Sequence, residues 1–221
     1  MVESFAVFDC ALITLAVGER AHNLRELRDQ LIRTGDPDIL YHHFWSGLLR
    51  PYFVDPEYQN DFASWAYRDL HDTVLAERLS IINPGRFEDL DKLRREVVEV
   101  VEERIDEDPL AERREADHPF IFMRSQIVVL DSRKSAETPQ DLASVLPSLT
   151  LGSVFYHFVD SRRRLSDGGD DFSSWLENFH EEYEGLRGDI RAIDPYFNTL
   201  AELQEELVLA FSRHLGGAGK S

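Results

Sequence analysis

Two short stretches carry the residues best suited to chemistry. Tyr41-His42-His43-Phe44 is followed by Asp61-Phe62-Ala63-Ser64-Trp65, and Phe155-Tyr156-His157-Phe158 by Asp171-Phe172-Ser173-Ser174-Trp175. Histidine titrates near neutral pH and serves as general base or metal ligand, so His43 and His157 are the candidates for such work. Arg50 and Arg164 follow them and could steer an anion. Trp65 and Trp175 would complete a ligand-binding set with these four residues. A plainer reading competes at each position. The aromatic neighbours suit core histidines whose ring nitrogens are hydrogen-bonded. Asp61 and Asp171 each precede an apolar helical run and suit helix caps. The tryptophans suit core anchors.

No metal or cofactor is expected. Glu177 and His180 have the Glu-x-x-His spacing of helical carboxylate–histidine sites, but such a site uses the pair twice and it occurs once here. The sequence holds no Gly-x-x-x-x-Gly-Lys, Gly-x-Gly-x-x-Gly or Gly-x-Ser-x-Gly motif and no metal-spaced Cys/His set. Arg162-Arg163-Arg164 is the sizeable basic cluster, and internal pairing with Asp160, Asp167, Asp170 or Asp171 is the favoured reading over an anion site.

The elements that must position these residues follow from periodicity. Phe5 to Leu15 is apolar and reads as a buried strand ending at Gly18. Asn23 caps a helix bearing Leu24, Leu27 and Leu31, with Glu26 as capping-box partner. Asp36 and Pro37 open the helix that carries His43. Pro51 to Asn60 reads as a loop, and a long helix is expected from Asn60 or Asp61 to about Ile82. Leu90, Leu93, Val97, Val98, Val101 and Ile105 define a last amphipathic helix. Phe120 to Leu130 then aligns with Phe5 to Leu15 without a gap, and the aromatic-histidine, Asp-Phe and Trp landmarks recur in order.

This recurrence predicts a helix-dominated α+β protein, a tandem duplication of a strand-plus-four-helix unit packed with pseudo-two-fold symmetry. The expected division is copy 1 at 1–105, a charged linker at 106–118, copy 2 at 119–215 and a small flexible tail at 216–221. Asp9 and Arg124 fall at equivalent mid-strand positions, where a lone charge is costly, so they are expected to satisfy one another across the symmetry axis.

Composition narrows the partners. With 42 acidic against 24 basic residues the formal charge is −18, which argues against nucleic acid and against anionic membrane surfaces. No apolar run of 18 residues exists, the start is not that of a signal peptide, and Cys10 is the single cysteine. A cytoplasmic location is expected. Only three of the basic residues are lysines, a bias that suits a salty cytoplasm or simply a GC-rich genome.

Tyr41-His42-His43-Phe44-Trp45, Phe155-Tyr156-His157-Phe158 and Asp171-Phe172-Ser173-Ser174-Trp175 resemble a bacterial and archaeal family catalogued only as a domain of unknown function. The resemblance covers nearly the whole chain and implies no activity and no catalytic residues. The expected function is that of a non-catalytic binding or regulatory module with a site between the repeats, its partner a small molecule or a protein. One alternative is a hydrolase using His43 or His157 on a small anionic substrate. A second is a protein-interaction scaffold.

Overall fold

The computed structural model describes residues 2–50, 57–165 and 168–215, without the side chains of residues 180 and 181. The tail at 216–221, most of the expected Pro51–Asn60 loop and the His180 side chain lie outside the described residues. Strand β1 (Phe5–Ala21) leads into helices α1 (Leu24–Arg33), α2 (Pro37–Trp45), α3 (Asp61–Arg68), α4 (Thr73–Ser80) and α5 (Leu90–Glu107). Strand β2 (Phe120–Ala136) leads into α6 (Pro139–Val145), α7 (Leu151–Val154), α8 (Ser161–Arg164), α9 (Asp171–Leu176), α10 (Glu184–Arg191) and α11 (Leu200–Leu215). A π-helical run, Phe155–Asp160, joins α7 and α8 into one continuous helix.

The chain is helix-dominated and α+β, but the strand-plus-four-helix tandem expected from the recurrence is overturned. Among the described residues there is one sheet, made of β1 and β2 paired antiparallel, with about ten helices. The compact units cut through both strands. A continuous unit holds Leu12–Gln126, and a split unit holds Met1–Ala11 with Ile127–Ser221. The physical reason is visible in the core of each. In the split unit, Phe5 at the start of β1 lies 5.3 Å from the Phe172 ring and 5.6 Å from Trp175. In the continuous unit, Phe120 at the start of β2 stacks 5.0 Å from Phe62 and 5.6 Å from Trp65. The opening of each strand therefore buries its aromatic side chains on helices that follow the other strand. A whole strand and the helices after it do not form one unit, because the opening of each strand lies in the other. The stretch 106–118 lies within the continuous unit, tied by Ala116 N to His22 O at 2.8 Å and Asp117 N to Asp69 O at 2.9 Å.

Both strands run further than the apolar pattern indicates, and their later halves are largely exposed rather than buried. Gly18 does not end β1. It adopts φ +90° inside the strand, and Arg133 adopts the left-handed φ +59° inside β2. Side-chain acceptors stabilise the second bend, since Asp131 Oδ1 takes the Arg133 N–H and Ser132 Oγ the Lys134 N–H.

Several helix starts follow the sequence. Asn23 accepts from Glu26 N and Asp36 from Asp38 N, with Pro37 in the first helical turn. Glu26 reaches back to His22 N rather than to Asn23, one residue beyond the expected box. The long helix expected from 61 to 82 is two helices. Left-handed His71 (φ 54°) turns the chain, and Asp72 caps α4 through Leu75 N. Apolar spacing continues smoothly across that turn, so periodicity alone does not reveal it.

Gly152 shows how tightly α7 meets β1 in the split unit. A Cβ there would overlap the Asp9 carboxylate and lie 2.6 Å from the Cys10 carbonyl oxygen. Cys10 also donates its thiol to the Gly152 carbonyl at 3.3 Å. Gly152→Ala is expected to cost about 1–3 kcal/mol through overpacking, read as a lower urea midpoint. An unchanged midpoint would show that the strand yields freely.

Candidate functional site

Each unit builds one His–Asp–Arg set around its buried histidine. In the continuous unit, α2 presents His43, 3% exposed, towards α3. His43 Nδ1 lies 2.9 Å from Asp61 Oδ2, and its Nε2 accepts the Met123 backbone N–H of β2 at 3.1 Å. In the split unit His157, 2% exposed, lies 2.7 Å from Asp171 Oδ2 through Nδ1 and accepts the Phe8 N–H of β1 at 2.9 Å through Nε2. A backbone N–H needs an acceptor, so Nε2 carries the lone pair and Nδ1 the proton that it donates to the aspartate. Both ring nitrogens of both histidines are thus engaged. Each histidine also takes up an N–H of a strand in the two-stranded sheet, a donor that would otherwise need water.

Asp61 and Asp171 do not cap their helices. Asn60 Oδ1 accepts Ala63 N at 2.8 Å and Asp170 Oδ1 accepts Ser173 N at 2.8 Å, one residue earlier in each case. This frees Asp61 and Asp171, at the first helical position, to orient the imidazoles. Each aspartate is neutralised by its arginine, Arg50 Nη1 to Asp61 Oδ1 at 3.1 Å and Arg164 Nη2 to Asp171 Oδ2 at 2.8 Å. Burial raises the Asp61 pKa, but the hydrogen bond from His43 and the Arg50 charge outweigh it and hold the carboxyl below the usual carboxylate range.

Beyond this shared frame the two sets differ. Beside His43 stands His42, 1% exposed, with Nδ1 2.8 Å from Ser125 Oγ and Nε2 3.3 Å from Arg50 Nη2. Arg50 also donates to Ser46 Oγ at 2.7 Å. Burial first, then His43 and Arg50, hold the His42 imidazole down at about 4. In the split unit Tyr156 stands before the histidine, and the Arg164 guanidinium lies 4.0 Å from its ring centroid. Arg164 Nε donates to buried Asp160 at 2.9 Å, and Arg163 pairs with the same aspartate at 3.3 Å. Arg162 lies over the Phe158 ring. The basic run is therefore engaged within its own unit. Cys10, whose Sγ packs beside this set, is pushed up to about 12 by burial first and then by Asp160 and Asp9, which keeps it in the thiol form near neutral pH.

Trp65 and Trp175 are buried anchors. Their indole N–H groups donate to His118 O and Glu3 O, each at 2.8 Å. Asp9 and Arg124, expected to satisfy each other, each have a partner within their own unit. Asp9 Oδ1 accepts the Cys10 N–H at 2.8 Å, and Arg124 Nη1 lies 3.2 Å from Asp36 Oδ2.

Donor atoms of His42, His43 and Asp61 lie within 4.8 Å of one another, close enough to share a metal ion. The chemistry of the set does not favour one. The Arg50 guanidinium bonds both Asp61 and His42, and His43 spends Nδ1 on Asp61 and Nε2 on the strand. The arginine is the resident cation. Sequence reasoning passed over His42, Ser46 and Ser125, whereas Asp160 is one of the acids expected to pair with the basic run, at i,i+4 spacing to Arg164. For Ser125, in a strand, no local signal exists.

The continuous unit also carries a surface cleft. A cleft of about 280 Å³ lies between the β strands and the end of α1, lined by Val17, Glu19, Gln30, Arg33, Thr34, Ile39 and Phe122. Among the described residues no helix is long and apolar enough to cross a membrane.

No curated protein matches the sequence. A solved structure, that of OrfY from Thermoproteus tenax, is similar over 97% of each chain with a TM-score of 0.82 and 28% sequence identity. The histidine stretches and the Asp-Phe-x-Ser-Trp segments lie inside the region, residues 2–212, matched by a family of unknown function, DUF5752, and the chain belongs to that family.

Proposed function

We propose that the protein is a non-catalytic binding protein in which the two His–Asp–Arg sets brace the strands and the cleft of the continuous unit takes a small ligand. One observation carries this reading. Both ring nitrogens of His43 and of His157 are engaged, one on an aspartate and one on a strand N–H, so neither histidine offers a free base to a substrate. The alternative hydrolase reading draws on the same geometry, because an aspartate on Nδ1 is the way a catalytic imidazole is oriented. It requires Nε2 to leave the strand.

Ring-nitrogen NMR together with an activity panel separates the two. On the binding reading, His43 and His157 keep the Nδ1–H form when ligands are added, and esters and phosphate esters are not turned over. Turnover that falls at least a hundredfold in His43→Gln or His157→Gln, with the fold retained, would establish the enzyme reading instead.

A further inference from the structure

We propose that the cleft of the continuous unit binds a small zwitterion with an apolar side chain, its ammonium beside Glu19, its carboxylate on Arg33 and its side chain over Phe122 and Ile39. This rests on the binding reading above and names its ligand class. At about 280 Å³ the cleft is at the small end for a small-molecule site, which sets a size limit below that of a nucleotide.

The floor is apolar and held in place by the unit's own packing. Ile39 and Phe122 are 3% and 1% exposed, and Val17 forms one wall. Side chains held this way accept hydrocarbon without further rearrangement. The rim is polar and carries both signs. Arg33 spends Nε on the Asp29 carbonyl at 3.1 Å, and among the described residues it makes no ion pair. Its two terminal nitrogens keep the fork that recognises a carboxylate. Glu19 is held in place by Gln30 Nε2, and the carbonyl end of α1 adds partial negative charge beside it. The lining therefore offers an acid to a cation and a guanidinium fork to an anion. An apolar anion would leave the Glu19 charge without a cation, and an apolar cation would leave the Arg33 charge without an anion.

At the matching place in the split unit, Lys134 follows left-handed Arg133 as Glu19 follows left-handed Gly18, and its Nζ lies 3.3 Å from the Ser148 carbonyl oxygen. The lysine ties the strand to the end of the helical segment that begins with α6 and puts a cation where the continuous unit has its acid.

The test uses three isosteric probes with the full chain: L-leucine, 4-methylpentanoate, which lacks the ammonium, and 3-methylbutylamine, which lacks the carboxylate. Calorimetry and backbone-amide NMR report binding and its place. L-Leucine is expected to bind at least tenfold tighter than either single-charge probe, with amide shifts at Val17, Gln30 and Thr34. Arg33→Gln and Glu19→Gln, both exposed and harmless to folding, are each expected to weaken it about tenfold. Val17→Trp fills the cleft from an exposed position and is expected to abolish it. Equal binding of leucine and a single-charge probe, blocked by Val17→Trp, would overturn the zwitterion while leaving the binding reading intact. No shift at these amides with any probe would overturn the proposal, and binding that shifts only amides near His43 or His157 would move the site to the histidine sets.

Discussion

Replacing His43 with alanine is expected to destabilise the protein by about 3–5 kcal/mol. Three losses combine. The ring is buried against Phe120 and Phe62, with centroids 4.6 and 5.3 Å away, so truncation leaves a cavity. The Met123 N–H loses its acceptor in a part-buried place, and Asp61 loses one of its two cationic or polar partners. His43→Gln keeps an acceptor on a side chain of similar reach and is expected to recover part of the loss. Urea unfolding gives the free energies, and hydrogen exchange at the Met123 amide gives the local effect. A loss below about 1 kcal/mol for the alanine variant, with Met123 still protected, would mean that the histidine does not brace the strand.

The second large effect is pH dependence through His42. Its imidazole titrates at about 4 in the folded chain against 6.5 for the ordinary group, with burial the main cause. Between those values the unfolded chain binds a proton that the folded chain does not. Stability is therefore full above pH 6.5, falls as the pH drops towards 4, and loses on the order of 3 kcal/mol over that window. His42→Gln retains a polar side chain for Ser125 and Arg50 but does not titrate. The difference in unfolding free energy between pH 7.5 and 4.5 is expected to shrink by that amount in the variant. An identical pH profile in both proteins would mean that His42 carries its proton as easily when folded. Asp61 acts in a separate window. Its folded pKa is depressed, so its contribution is present above the ordinary carboxylate range and is lost at more acidic pH.

These two residues show what was legible in the sequence. His43 and His157 stand out because they recur among aromatics, and their burial follows from those neighbours. That each would bond an aspartate downstream was hidden by the capping rule. Asp61 and Asp171 look like caps because an acid precedes an apolar run, yet Asn60 and Asp170 take that role one residue earlier. Boundaries read from periodicity carry such one-residue slips, and here the slip changes the chemistry of the residue. His42 was visible only as a neighbour of His43. Its partners Ser125 and Arg50 come from a distant strand and from the end of its own helical segment.

By itself the sequence determined the helix-dominated α+β character, most helix starts, the buried aromatic core and the family to which the chain belongs. Local propensity, capping chemistry and apolar spacing are short-range, and they survive folding unchanged. Only the tertiary structure decided how the segments combine. The recurrence suggested that each strand belongs with the helices after it. Instead Phe5 packs on Phe172 and Trp175, and Phe120 on Phe62 and Trp65, so each strand is shared between units. Similar segments have similar surfaces, and nothing local distinguishes packing on the near set of helices from packing on the far one. With β1 and β2 paired in one antiparallel ribbon, the start of each strand belongs to the unit of the helices that follow the other.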